Sequence, residues 1–136
     1  MKKLFFLSLF AILTFGAVHA QAPENQDTIV NGPKIQFESL VHEYGTIAKG
    51  SDGNCEFTFT NMGNEPLILS NVRASCGCTT PSWTQKPIMP GKTGTIKVHY
   101  NTNNVGGFNK SITVTSNAVD NPRTVLKIKG LVQKPE

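Results

Sequence analysis

The stretch Cys55-Glu56-Phe57-Thr58-Phe59-Thr60 decides the fold, because its residue types alternate strictly. Successive side chains of a β-strand point to opposite faces of a sheet. Cys55, Phe57 and Phe59 therefore share one face, and a carboxylate and two hydroxyls share the other. This pattern predicts a strand with one buried face and one solvated face.

Similar short runs lie on both sides of this strand, separated by Gly, Pro and Asn turns. They cover residues 35–38, 44–47, 67–72, 95–100, 110–115 and 125–132, and turns are predicted at 61–66 and at Gly106-Gly107. The later runs are expected to point Ile96, Val98 and Tyr100 inward, and likewise Leu126, Ile128 and Val132. About seven strands without a helical stripe predict an all-β, immunoglobulin-like antiparallel β-sandwich, with a small closed barrel as the alternative.

The N-terminal segment has the charge, apolar run and small residues of a secretory signal peptide. Two lysines precede an apolar run over 4–18, and Val18 and Ala20 fit the small positions of a cleavage site. The run of about 15 residues is shorter than the roughly 20 that span a membrane. We therefore predict a signal peptide over 1–20 and a mature protein that is periplasmic or secreted, without membrane insertion.

The remaining chain has the size of one domain. Cleavage leaves 116 residues, which suits a single hydrophobic core. Residues 21–33 have too few apolar side chains to bury, so they are predicted to be a flexible leader before a folded domain over 34–134. After cleavage, 11 basic residues face 9 acidic ones, and the lysines are scattered. This distribution argues against nucleic-acid binding and against a basic membrane-binding helix.

Five motifs of the chain occur together in one known family. They are Tyr44-Gly45-Thr46-Ile47, the run over 57–69 with its turn Asn61-Met62-Gly63-Asn64-Glu65-Pro66-Leu67, Ser75-Cys76-Gly77-Cys78-Thr79, Pro90-Gly91 and the run over 109–114. Together they resemble the bacterial family called domain of unknown function 1573, over roughly residues 35 to 132. The resemblance implies an immunoglobulin-like domain of the major-sperm-protein type, a class that binds partners or serves as a structural module. It implies no reaction, and Cys55 departs from the family pattern.

The stretch from Ser75 to Trp83 is the part of the chain that an ordinary strand-rich domain would not need. It holds two of the three cysteines and the only tryptophan. Loops on a rigid scaffold often carry recognition. The candidate binding residues are Cys76, Gly77, Cys78, Thr79 and Trp83. Trp83 is interpreted either as an exposed contact residue or as a plug at the bottom of the sandwich.

Three cysteines in an exported protein leave one unpaired whichever disulfide forms. A bridge between Cys76 and Cys78 closes a very small ring, which Gly77 permits, and strained exposed bridges are the more readily reduced ones. A bridge from Cys55 to either of them closes a loop of about 20 residues and adds roughly 3 kcal/mol of stability. Both pairings stay open from the sequence.

Two further chemistries are alternatives to binding alone. As thiols, Cys76 and Cys78 have the softness to hold copper or zinc, with further ligands drawn from Met62, Met89, His42 and His99. However, Cys-x-Cys lacks the second half of a zinc pair, and no metal or other cofactor is assigned. In the other alternative Cys76 attacks and Cys78 resolves in thiol–disulfide exchange, although only Arg73 is nearby to lower a thiol pKa.

Catalytic motifs of other kinds are missing from the sequence. There is no phosphate-binding glycine loop, and no Ser-His-Asp order stands out. The sequence therefore predicts a non-enzymatic module of the bacterial envelope. Its partner is expected to be another envelope protein or a glycan.

Overall fold

The structure is a computed structural model that describes residues 31–136 together with Gly16. Apart from Gly16, the predicted signal peptide lies outside the described residues, and so does most of the predicted leader. Within the described part of the chain, no helix is long and apolar enough to cross a membrane.

Across residues 31–136, eight β-strands form two sheets of four strands each. The strands are β1 (Ile35–Phe37), β2 (Val41–Ala48), β3 (Asn54–Asn61), β4 (Leu69–Ala74), β5 (Thr79–Trp83), β6 (Thr93–Tyr100), β7 (Gly106–Ser116) and β8 (Arg123–Gln133). Sheet I has the strand order β1-β3-β6-β5, and sheet II has the order β2-β8-β7-β4. This arrangement confirms the predicted all-β, immunoglobulin-like sandwich.

One strand pair departs from the antiparallel pattern. Strand β2 runs parallel to β8, with Val41 opposite Lys127, whereas the other pairs are antiparallel. The chain leaves β1 in sheet I and enters β2 in sheet II through residues 38–40 without reversing into a hairpin. Because β2 joins β8 and not a sequence neighbour, local alternation gives no signal of its direction.

The core lies between the two sheets, and the inward faces predicted from alternation are confirmed. Phe59, Ile96, Leu126 and Ile128 have no exposed surface, and Val98 and Val132 retain 1%. Burying such a side chain contributes roughly 1.5–3 kcal/mol each. The alternating stretch that begins at Cys55 therefore supplies the centre of the core.

The turn after β3 is organised by the side chain of Asn61, which is fully buried. Its Oδ1 accepts hydrogen bonds from the backbone N–H of Gly63 (2.9 Å) and Lys34 (3.3 Å). Its Nδ2 donates to the carbonyl oxygens of Glu65 (2.7 Å) and Ile88 (2.9 Å). One amide therefore satisfies four backbone groups in the core, which explains an asparagine at the start of this turn motif.

Two predicted boundaries are wrong. Gly106 and Gly107 were expected to form a turn, but they begin β7, and the reversal is made by residues 101–105. Residues 79–83 were expected to belong to the loop from Ser75 to Trp83, but they form β5, which contains Pro81. An edge strand tolerates proline at a position whose missing N–H would face away from the ladder, and among the described strands β5 pairs with β6 alone.

The sheet edges in the described part of the chain are short or irregular. Strand β1 has 3 residues and β5 has 5 with a proline, while β2 and β4 each contain a register shift. In β2 the shift falls between Glu43 and Gly45, and the φ of Gly45 is +67°. Short, bulged or proline-containing edges discourage pairing with another chain.

Candidate functional site

Residues 75–78, the cysteine loop, carry the chain from β4 in sheet II to β5 in sheet I. Backbone hydrogen bonds hold both ends of this loop. The Ser75 N–H donates to the Ser111 carbonyl (2.9 Å), and the Asn101 N–H donates to the Cys78 carbonyl (2.9 Å). The loop is therefore anchored to both sheets by its backbone.

A disulfide joins Cys76 and Cys78. Both cysteines are half-buried, and Gly77 between them is exposed. A Cβ placed on Gly77 would meet no atom within 4 Å. The tip of the loop therefore faces open space, while the sulfur-bearing residues lie partly against the protein.

Cys55 is the free cysteine, and strand order explains why it is out of reach of the loop. It lies on β3 opposite Val98 of β6, and β6 in turn pairs with β5, where Thr79 lies opposite Tyr100. Neighbouring strands lie about 4.8 Å apart, so two such spacings separate the Cα of Cys55 from the Cα atoms of the loop cysteines. That separation exceeds the roughly 7 Å between Cα atoms that a disulfide can bridge. The 20-residue bridge considered from the sequence therefore does not fit this fold.

The surroundings of Cys55 favour an unreactive thiol. Burial raises the pKa of the Cys55 thiol, and a hydrogen bond with Tyr44 only partly opposes this effect. Burial and the same contact also raise the pKa of Tyr44, whose hydroxyl donates to the Gly53 carbonyl at 2.7 Å. A protonated, half-buried thiol is a poor nucleophile.

The hydroxyl of Thr79 contacts both sulfurs of the bridge. Its Oγ1 lies 3.7 Å from Cys76 Sγ and 3.8 Å from Cys78 Sγ. Thr79 is only 3% exposed, and within residues 31–136 its hydroxyl has no other hydrogen-bond partner. The sequence indicated Thr79 as part of a motif but did not predict this contact. The contact depends on the Thr79 side chain pointing into the core at the start of β5.

Trp83 lies on β5 opposite Ile96 and packs against the core while remaining half-buried. Its Nε1 is buried without a hydrogen-bond partner among the described residues. The ring therefore does not form a free aromatic platform. A cavity of about 270 Å³ beside it is lined by Ser82, Trp83, Thr84, Thr95 and Lys97.

The extra metal ligands considered from the sequence do not surround the cysteine loop. Met62 and Met89 are exposed near the turn after β3, at the end of the sandwich opposite the loop. His42 packs edge-on against a tyrosine ring at 4.6 Å, and His99 Nδ1 pairs with Asn54 Oδ1 at 3.0 Å. In the described residues, no three His, Cys, Asp or Glu side chains gather as a metal site.

A second surface feature, which the sequence did not indicate, lies on the outer face of sheet II. It is an open depression of about 550 Å³ lined by Glu43, Gly45, Gly107, Phe108, Asn109, Lys129 and Gly130. The Lys129 ammonium lies 2.9 Å from the Glu43 carboxylate, and this hydrogen bond and charge lower the pKa of Glu43. The two charges compensate each other, so the depression offers no net charge to a ligand.

Comparisons with known proteins place the chain in a family and a fold. The model of the family described as protein of unknown function (DUF1573) matches residues 35–132. A search of curated proteins finds no match. The family resemblance inferred from the sequence motifs is therefore confirmed.

Three solved structures share the fold at low sequence identity. A protein of unknown function from Porphyromonas gingivalis W83 is 17% identical with a TM-score of 0.66, over 76% of this chain and 49% of that one. The PapD-like domain 7 of human CEP192 is 9% identical with a TM-score of 0.63, over 76% and 87%. The CsuC–CsuE chaperone–tip adhesion subunit complex of Acinetobacter baumannii is 9% identical with a TM-score of 0.55, over 74% and 57%. The chain thus spans about half the length of the Porphyromonas structure.

Proposed function

The chain belongs to the DUF1573 family, and we propose that it is an exported, non-enzymatic binding module whose cysteine loop contacts another protein of the cell envelope. The observation that carries this proposal is the anchored loop. Its backbone is tied to both sheets, and its tip at Gly77 is exposed. A loop that is already ordered loses little conformational entropy when a partner binds.

The chemistry of the site favours a protein partner over a glycan. Trp83, the tryptophan of the chain, packs against the core and presents no free ring on which a sugar stacks. The fold is also similar to that of a chain in a chaperone–tip adhesion subunit complex. Because the sheet edges are short or irregular, we place the contact at the loop and not at an edge strand.

The proposed location rests on the N-terminal sequence. Cleavage after Ala20 would release the domain into the periplasm or the medium. Intact-mass measurement of the protein from fractionated cells tests this. A chain that begins at Gln21 in the envelope or medium supports export, whereas a full-length chain in the cytoplasm contradicts it.

Site-specific photo-crosslinking in the producing cells tests the contact surface. A photoreactive residue at Gly77 is expected to capture a protein partner, because nothing lies within 4 Å of its Cβ position. The matched control is Gly107, where the Cβ position is equally open but lies on the outer face of sheet II. Equal crosslinks at both positions, or none at Gly77, would contradict the loop as the contact surface.

The second candidate function is thiol–disulfide exchange through Cys76 and Cys78, and the observation that favours it is the bridge in the loop. Mixing the oxidised protein with a reduced two-cysteine peptide tests it. Formation of the peptide disulfide supports exchange, and an unchanged peptide excludes it.

Copper or zinc binding by the same pair is less well supported, because Met62 and Met89 lie far from the loop. Equal and negligible copper and zinc contents in the reduced wild-type protein and in reduced Cys78→Ser would exclude metal binding by this pair.

A further inference from the structure

The position of Thr79 is suited to a residue without a hydroxyl. Thr79 is the first residue of β5, and its side chain points inward with 3% exposure. A valine would fill the same space without burying a polar group, and an inadequately bonded buried hydroxyl destabilises a fold. In the described chain, the partners of this hydroxyl are the two sulfurs of the bridge.

These sulfurs accept hydrogen bonds with different strength in the two redox states. A sulfur in a disulfide is a weak acceptor. A thiolate is charged, and hydrogen bonds to charged groups are roughly twice as strong as neutral ones. The buried hydroxyl is therefore better satisfied when the bridge is open and one sulfur is a thiolate.

The loop geometry allows the bridge to open without unfolding the domain. Only Gly77 separates the two cysteines, so the bridge restricts a very short segment. The Ser75 and Asn101 N–H groups donate to the Ser111 and Cys78 carbonyls, and the Ser75 hydroxyl accepts from the Ser111 N–H at 3.2 Å. None of these hydrogen bonds involves a sulfur atom. They remain in place when the sulfur–sulfur bond breaks.

We propose that the Cys76–Cys78 bridge is an exchangeable disulfide that oxidises a dithiol of the docked protein, and that the Thr79 hydroxyl stabilises the thiolate released from the bridge. This rests on the proposed cysteine loop as the contact surface and deepens the second candidate function, thiol–disulfide exchange, because it names a thiol-bearing protein as the partner. Thr79 is a positioning residue that acts through the sulfurs.

The reaction proceeds in two exchange steps. A thiolate of the partner attacks one sulfur of the bridge, the Cys76–Cys78 bond breaks, and its electron pair leaves on the other sulfur as a thiolate beside Thr79. The second thiolate of the partner then attacks the mixed disulfide and releases the second cysteine as a thiolate. The partner dithiol loses two electrons and becomes a disulfide, while Cys76 and Cys78 gain them and take up two protons from solvent.

Cys55 does not divert this exchange. Strand β6 separates it from the loop, and burial keeps its thiol protonated by raising its pKa. The reduced pair therefore re-forms the same bridge when it is oxidised again. A third reactive thiol near the loop would instead scramble the pairing.

Reduction by dithiothreitol, as a small dithiol probe, tests the role of Thr79 without any partner. We expect Thr79→Val to be reduced about tenfold more slowly than wild type, since a hydrogen bond to a charged group is worth about one factor of ten or more. Thr79→Ser keeps the hydroxyl and is expected to react within about threefold of wild type on the same grounds. In the reduced proteins, the pH profile of alkylation should show a higher thiol pKa in Thr79→Val.

Equal rates and equal pH profiles in wild type and Thr79→Val would overturn the role of Thr79. If Thr79→Val does not fold, equilibration of the wild-type protein with glutathione still tests whether the bridge is exchangeable. A bridge that stays fully oxidised in a large excess of reduced glutathione would contradict an exchangeable disulfide. In cells quenched with acid and then alkylated, wild type should carry a mixed disulfide with a partner protein, and the double variant Cys76→Ser, Cys78→Ser should carry none. A crosslink at Gly77 without any mixed disulfide would refute this inference and leave the proposed binding function standing.

Discussion

Reduction of the Cys76–Cys78 bridge is expected to leave the domain folded and to lower its free energy of unfolding only slightly. A disulfide stabilises mainly by restricting the unfolded chain, and the effect grows with the length of the closed loop. The bridge closes a loop of 3 residues. The chain-entropy relation gives about 1.6 kcal/mol for a loop of this length, compared with about 3 kcal/mol for a loop of 15 residues.

Urea unfolding followed by tryptophan fluorescence measures this difference, with and without a phosphine reductant. For an m-value of about 1.5 kcal/mol/M, the loss of 1.6 kcal/mol moves the midpoint down by about 1 M. Cys55 is free, so reduction changes a single bridge in the described domain. The matched control is the double variant Cys76→Ser, Cys78→Ser, whose midpoint should not respond to the reductant.

A loss of 3 kcal/mol or more on reduction would refute this reasoning. It would mean that the bridge is a structural staple and that the backbone hydrogen bonds of Ser75 and Cys78 do not hold the loop by themselves. Loss of the β-sheet circular dichroism signal on reduction would have the same meaning. In either case the loop would no longer be a candidate for exchange on a rigid frame.

Three other predictions concern the stability of the fold, each measured by urea unfolding. Asn61→Asp should lower the free energy of unfolding by roughly 3 kcal/mol or more, because a carboxylate cannot donate to the two carbonyls that the amide serves, and part of the loss should be recovered at low pH. The control Asn71→Asp, at an exposed position, should change the free energy of unfolding little. Equal losses in the two variants would contradict this prediction. Gly94→Ala should lower the free energy of unfolding by about 1–3 kcal/mol, because the added methyl group overpacks against a buried phenylalanine ring. The control Gly107→Ala places its methyl group in open space and should change the free energy of unfolding by no more than about 0.5 kcal/mol. Similar losses in the two variants would contradict the close packing at position 94. Because burial raises the pKa of the Cys55 thiol, its contribution to stability is complete below the unfolded pKa of about 8.5 and declines as the pH rises toward the folded pKa. Cys55→Val should therefore lose less stability between neutral and alkaline pH, and identical pH profiles would contradict this.

The predicted strands and the confirmed core show how much of the fold is local. Alternation at Phe57 and Phe59, and again at Ile96 and Val98, identified inward faces that the structure buries almost completely. The period of two is a property of the strand itself, so it is readable without any partner. Strand β5 was missed because residues 79–83 were interpreted as part of the cysteine-bearing loop. A strand that contains Pro81 is suited to a sheet edge, and which strand lies at an edge is a property of the tertiary structure.

The candidate site was predicted in part. The motif from Ser75 to Thr79 was singled out by its cysteines, and the structure places it in the connection between the two sheets. The partner sulfur of each cysteine was not predictable. That choice depends on β6 lying between Cys55 and the loop, which is a consequence of strand order and not of spacing along the chain.

The sequence by itself determined the strand-rich composition of the domain, the inward residues of most strands, the family motifs and the position of the cysteine pair. All of these follow from neighbours along the chain, because side-chain alternation and turn chemistry act over a few residues. Only the tertiary structure decided the parallel pairing of β2 with β8, the isolation of Cys55 and the contact of the Thr79 hydroxyl with both sulfurs. These features depend on which strands become neighbours, and that is fixed by burial of the whole set of apolar faces in one core.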